Sequence, residues 1–277
     1  MVSRDQRRRQ LAREKFARQQ QRRTVAQHKA KRRNVIIAST LAVVLAAGAA
    51  AYASAGLAGG SDDRSDAAAS DPAATKAPDP CGKPAAGAPS KRTWKQEPAM
   101  TVDTSAAYAV RLGTTCGQIE LKLDAAKAPH TVNSFAFLAR EHYFDHSRCH
   151  RLVDQNIHVL QCGDPSGTGQ GTPGYTIPDE NLKDPRLKGD VYPAGTVAMA
   201  NTYDGEHQSS RNSGGSQFFL VYQDSKLPPN YTPFGTVTGG MGVLKKIAAA
   251  GSTPDPRTGN TAPNATVVID KATVAKS

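Results

Sequence analysis

From Tyr108 onward, apolar and polar positions alternate in short segments whose spacing predicts most of the secondary structure. Tyr108 to Leu112 and Gln118 to Leu123 read as an opening pair of strands joined through Gly113 to Gly117. Pro129 suits the first turn of a helix running to about His142, with Val132, Phe135, Leu138 and Ala139 on one face. Leu152 and Val153, then Ile157, Val159 and Leu160, flank the polar turn Asp154-Gln155-Asn156, the pattern of a hairpin with a longer loop. Short strands follow within 195–201 and 213–222, then the Pro228-Pro229-Asn230 turn and a strand near Phe234 to Val237. A short helix near Val243 to Ala250 and a last strand near Thr266 to Asp270 complete the set. Seven or eight short strands with two helices suggest a mostly β, antiparallel barrel, although periodicity alone also allows a sandwich.

Upstream the pattern changes. Residues 35–57 carry no charge, and as a helix they would be about 34 Å long, enough for a hydrocarbon core of about 30 Å. The expected organisation is a basic cytoplasmic tail (1–34), one transmembrane helix (35–57), an Ala/Pro/Asp-rich linker (58–100) and a folded domain (101–277). Arg22, Arg23, Lys29, Lys31, Arg32 and Arg33 precede the apolar run, so the positive-inside rule puts the N-terminus in the cytoplasm and the domain outside. A cleaved signal sequence is the competing expectation, since Ala51-Tyr52-Ala53 and Ala53-Ser54-Ala55 are small-x-small sites. Both export the domain.

Charge changes the picture only at the tail. Residues 1–34 hold 13 Lys and Arg against 2 acidic residues, leaving 22 of each sign in the remainder. The high isoelectric point therefore belongs to the tail, and no nucleic-acid partner is expected for the domain. Four cysteines allow three pairings, and an exported location permits disulfides. Cys149 with Cys162 across the hairpin, and Cys81 with Cys116 tying the linker to the domain, is the preferred arrangement. Strict alternation opposes it: a register placing Cys149 opposite Cys162 puts Arg151 opposite Leu160 and turns Gln161 to the other face, unless a bulge intervenes.

The most unusual residue choices fall between Cys149 and Gly171, where His150, Arg151 and Gln161 stand among aliphatic neighbours and need partners. The dipeptide HR at 150–151, the run QCGDPSGTGQG ending at Gly171, MAN at 199–201, GSQFF at 215–219 and FGTV at 234–237 together resemble cyclophilins over roughly residues 105–275. The resemblance implies a closed eight-stranded antiparallel barrel capped by two helices, and peptidyl-prolyl cis-trans isomerase activity without cofactor or metal. It assigns Arg151 the electrostatic role on the prolyl amide and Gln161 the positioning of that Arg. Phe219 corresponds to a wall of the proline pocket, and Ala200, Asn201 and Gln217 to the groove for the preceding peptide. The combination of anchor and domain resembles bacterial envelope cyclophilins, which implies X-Pro segments of exported proteins as partners and a role in their folding.

Departures from the family pattern are visible as well. Nine residues separate Arg151 from Gln161 where seven are usual, so His158 falls at the position of the family's pocket Phe and Val159 at that of its Met, with Ile157 able to replace them if the register shifts. Tyr231 stands where a His is common, and Lys226 or Leu227 near the position of a Trp that contacts cyclosporin, so weak cyclosporin binding is expected. The segment 201–216 is longer than usual and brings Arg211 toward the groove. The alternative expectation is a catalytically weak binding module or chaperone for proline-containing envelope proteins, its pocket spoiled by His158 and the long hairpin loop. Other chemistries fare poorly. Gly167, Gly169 and Gly171 precede Pro173 and Pro178 rather than a phosphate-binding helix, and His142, His146, Cys149 and His150 lack zinc-ligand spacing. Ser216 lacks a nucleophile's glycine-flanked setting.

Overall fold

The structure is a computed structural model that describes residues 78–203, 205, 207–255 and 261–277. The expected basic tail, transmembrane helix and the linker up to residue 77 lie outside the described residues. Among the described residues no helix is long and apolar enough to cross a membrane.

In chain order the elements are β1 (Ala107–Thr114), β2 (Gly117–Asp124), α1 (Pro129–Arg140), β3 (Ser147–Arg148), β4 (Arg151–Val153), β5 (Val159–Cys162), β6 (Val191–Tyr192) and β7 (Thr196–Met199). They continue with β8 (Phe218–Val221), β9 (Ser225–Lys226), β10 (Pro233–Gly239), α2 (Met241–Ala249), β11 (Ser252–Pro254), β12 (Thr261–Pro263) and β13 (Val268–Lys276). Nine strands form one antiparallel sheet in the order β3-β13-β1-β2-β10-β7-β8-β5-β4. Its end strands β3 and β4 are separated in the chain only by Cys149 and His150. That link spans at most roughly 11 Å, so the sheet must curl until its ends approach.

The expected closed eight-stranded barrel is therefore corrected to a nine-stranded half-barrel with two helices. No ladder joins β3 to β4 among the described residues. The seam stays unladdered because Cys149 turns away, its N–H donating to Val267 O and its sulfur bonding Cys162. The last strand runs to Lys276, well past the expected end, because β13 pairs with β1 as far as Tyr108.

Both faces of the sheet are covered, which is why all four residues of β8 are buried. The period-two alternation sends Leu152, Leu160, Phe218 and Leu220 inward to the main core and Val159, Phe219 and Val221 outward to a smaller apolar cluster with Tyr192 and Ala198. Helix α1 plugs the inner side. Phe135 meets Phe144, Phe218 and Phe234 at ring-centroid distances of 4.8, 5.2 and 5.6 Å. The N-cap residue Ala128 offers no side-chain acceptor, and the Glu180 carboxylate takes that role, accepting from the N–H groups of His130 and Thr131.

The second half of the expected linker is part of the domain. Cys81 is disulfide-bonded to Cys116, Ala85 N–H donates to Asp270, and Trp94 packs on Phe137 and Tyr143. A strip poor in apolar residues can lie on a folded surface when one covalent bond and one large ring hold it.

Candidate active site

Four adjacent strands place one row of side chains on the outer face of the half-barrel. Arg151 on β4 is opposite Gln161 on β5, which is opposite Phe219 on β8, which is opposite Ala198 on β7. The disulfide between Cys149 and Cys162 coexists with this register. The conflict expected from strict alternation disappears because Cys149 has already left the ladder, so the bond runs diagonally and no bulge is needed.

Above this row lies a cleft of about 220 Å³ lined on its polar side by His150, Arg151, Gln161, Gly169 and Gln170, and on its apolar side by Ile157, Val159, Phe219, Leu227 and Tyr231. Ala200 and Asn201 complete the rim. Arg151 Nη1 donates to Gln161 Oε1 at 3.2 Å, and Gln161 Nε2 donates to Gln217 Oε1 at 2.9 Å. Gln217 Nε2 in turn donates to the carbonyls of Gly169 and Gly171, each at 3.0 Å. The half-buried Arg151 forms no ion pair with any carboxylate among the described residues, so its charge stays available to the cleft.

The loop that receives this relay is built on Asp164. Its carboxylate is fully buried and accepts from Ser166, Thr168 and the N–H groups of Gly169 and Gly171. Burial alone would push this carboxyl up, but the hydrogen bonds from Ser166, Gly171 and Gly169 outweigh it and hold the group below its ordinary range. Gly171 is obligatory, since a Cβ there would lie 1.8 Å from Asp164 Oδ1.

The opposite rim is tied by side chains as well. Asn201 Nδ2 donates to the carbonyl of Asn230 at 2.8 Å, and Arg211 Nη2 donates to Asn230 Oδ1 at 2.9 Å. The Arg211 guanidinium lies 3.6 Å over the Tyr203 ring, and its Nη1 is 3.5 Å from Asp179. Tyr231 stands edge-on to Phe219 with ring centroids 5.4 Å apart, held by Tyr192, whose hydroxyl donates to Tyr231 O at 2.8 Å.

This arrangement offers a cation, amide donors and an apolar pocket, but little for covalent chemistry. Ser216 is buried and donates to Gly163 O, and Cys149 is committed to its disulfide. Among the described residues no group of three or more His, Cys, Asp or Glu is placed to hold a metal ion.

Residues 109–274 match the family model for cyclophilin type peptidyl-prolyl cis-trans isomerase. The chain belongs to the cyclophilin family. Its curated relatives include the probable peptidyl-prolyl cis-trans isomerase B of Mycobacterium leprae, 44% identical over 189 residues that make up 65% of this chain and 58% of the relative. The protein of that name from Mycobacterium tuberculosis is 46% identical over 155 residues, 53% of this chain and 48% of the relative. The peptidyl-prolyl cis-trans isomerase B of Bacillus subtilis is 36% identical over 132 residues, 47% of this chain and 83% of the relative. The chain thus spans about half the length of the mycobacterial relatives it matches.

Of the residues expected at the site of this cyclophilin, Arg151, Gln161, Val159, Ala200, Asn201, Phe219, Leu227 and Tyr231 line one cleft. Gln217 joins through its bond to Gln161 and lines the neighbouring groove with Thr172 and Ser213. His158 does not belong to the cleft. Its ring turns to the other side, edge-on to Tyr222 and 3.2 Å from Gln223 Nε2, while its N–H donates to Ser225. Ile157, in the bend just before β5, takes the wall instead.

One contributor was missed at the level of sequence, and a second was singled out there without a role. Asp164 sits in a loop whose hydrogen bonding no periodicity reveals. His150 is 7% exposed, lines the cleft beside Arg151, and has both ring nitrogens buried without a partner among the described residues. Burial pushes its imidazole down, against the pull of the Asp164 charge, and the neighbouring Arg151 charge acts in the same direction as burial.

Proposed function

We propose that this cyclophilin is a peptidyl-prolyl cis-trans isomerase that takes X-Pro segments of unfolded or flexible chains into the cleft and needs no covalent step. The carrying observation is Arg151, a guanidinium with no carboxylate partner among the described residues, oriented by Gln161 at the edge of an apolar wall. An X-Pro amide resists rotation by about 18–20 kcal/mol because the nitrogen lone pair is delocalised into the carbonyl. A donor on the prolyl nitrogen localises that lone pair and restores single-bond character. Arg151 is always charged, so it supplies this hydrogen bond without acid–base exchange. A single preorganised donor is worth about 10²–10³ in rate.

Phe219, Ile157, Val159, Leu227 and Tyr231 would receive the pyrrolidine ring, and Ala200, Asn201 and Gln217 the preceding peptide. We place the domain outside the cell membrane, anchored through residues 35–57, where it assists folding of exported proteins. The two disulfides fit such an oxidising compartment. Leu227 lacks the ring that the family's Trp offers cyclosporin, which supports weak binding of that drug. The alternative, a binding module whose pocket is spoiled by His158 and the long hairpin loop, loses the first of its two grounds, since the His158 ring lies outside the cleft.

The test is the isomerisation rate of an X-Pro tetrapeptide with the full chain beside Arg151→Ala. Acceleration by the parent that falls about 10²-fold or more in the variant is expected. A folded parent that gives no acceleration overturns the proposal.

A further inference from the structure

The family match begins at residue 109, yet a strip well upstream of it grips the loop on which the cleft is built. We propose that Trp94 is a positioning residue for the Arg151 relay: it pins Pro173 and Gly174, and through them the Gly169 and Gly171 carbonyls that hold Gln217, Gln161 and Arg151 in line.

The contacts run without a gap. Trp94 N–H donates to Pro173 O at 2.8 Å. Gly174 has φ +93°, and a Cβ there would lie 2.5 Å from Trp94 O, so strip and loop meet backbone to backbone. Pro173 is two residues beyond Gly171, whose carbonyl accepts from Gln217 Nε2 at 3.0 Å. The loop is therefore gripped from within by Asp164 and from outside by Trp94.

The strip itself is well anchored. The Trp94 ring lies 5.1 Å from Phe137 and 5.7 Å from Tyr143, both measured between ring centroids. Arg92 sits 5.2 Å over that ring and pairs with Glu141. The Cys81–Cys116 disulfide fixes the start of the strip, and Asn133 receives its far end through Thr101 N–H. A residue that only filled surface space would not need this alignment with the loop backbone. Displacements of even about 1 Å in a positioned group can cost up to 10²-fold in rate.

The inference rests on the isomerase reading for its kinetic arm only. In the full chain, Trp94→Ala is expected to lower kcat/KM about tenfold, in the range that misplacement of a positioned group produces. The Gln217 side-chain amide resonances are expected to shift in the same variant, and Trp94→Phe should restore most of both. If Trp94→Ala fails to fold, Trp94→Leu keeps the apolar body and carries the same expectation. A variant with a lower Tm but unchanged Gln217 resonances and unchanged kcat/KM, measured where it is folded, overturns the inference. Should the parent show no turnover, the isomerase reading fails by itself and the Gln217 resonances alone decide the role of Trp94.

Discussion

Arg151 and Gln161 face each other across β4 and β5, and the guanidinium donates to the amide oxygen at 3.2 Å while no carboxylate among the described residues pairs with it. An ion pair would hold the cation just as firmly but would spend its charge. A neutral amide orients it and leaves the remaining N–H groups for a ligand.

Replacing Arg151 by Lys keeps the charge and loses the planar fork, so Gln161 could no longer fix the donor's direction. Arg151→Lys is expected to lower kcat/KM by about 10²-fold, and Gln161→Ala by a smaller factor, in steady-state isomerisation assays. Full activity in the Lys variant would show that charge without direction suffices.

Ile157 and His158 differ in side, not only in chemistry. Ile157→Ala removes apolar wall and should raise KM about fivefold to tenfold with little change in kcat, the size of effect expected for one or two buried methylenes. His158→Phe should leave both constants within about twofold, since the ring meets Tyr222 and Gln223 outside the cleft. A gain of activity in His158→Phe would place the residue in the pocket after all.

Asp164 ties loop stability to acid pH. Its carboxyl is held below the ordinary value of 3.8, so the unfolded state takes up the proton first as pH falls. The stabilisation is fully present above about pH 4 and is lost as pH drops through the lower folded value. Relative to Asp164→Asn, the parent should keep a constant advantage in denaturant midpoint from pH 7 to about pH 5 and lose it below about pH 4. An advantage that persists unchanged to pH 2 would contradict the assignment.

Arg211 joins the 201–213 loop to the turn carrying Tyr231, through Asn230 and the Tyr203 ring. It touches no part of the Arg151 relay. Arg211→Ala is expected to raise KM severalfold for peptides extended before the proline and to leave kcat near the parent value, checked by comparing short and extended X-Pro substrates. Equal effects on both peptides would mean that the loop does not border the bound chain.

Local pattern was enough to reveal the strands that carry Arg151, Gln161 and Phe219, and helix α1 with its buried face. These follow from periods of 2 and 3.6 and from turn chemistry, all written within a few residues of the chain. Counting back along the hairpin nevertheless put His158 in the wall, because the length of a loop does not state where its extra residues bend. The seam between β3 and β4, the relay that ends on Gly169 and Gly171, the buried Asp164 and the grip of Trp94 on Pro173 depend on partners tens of residues apart. Such contacts form only when the whole chain has chosen one packing, so the tertiary structure alone decided which polar groups would meet at the cleft.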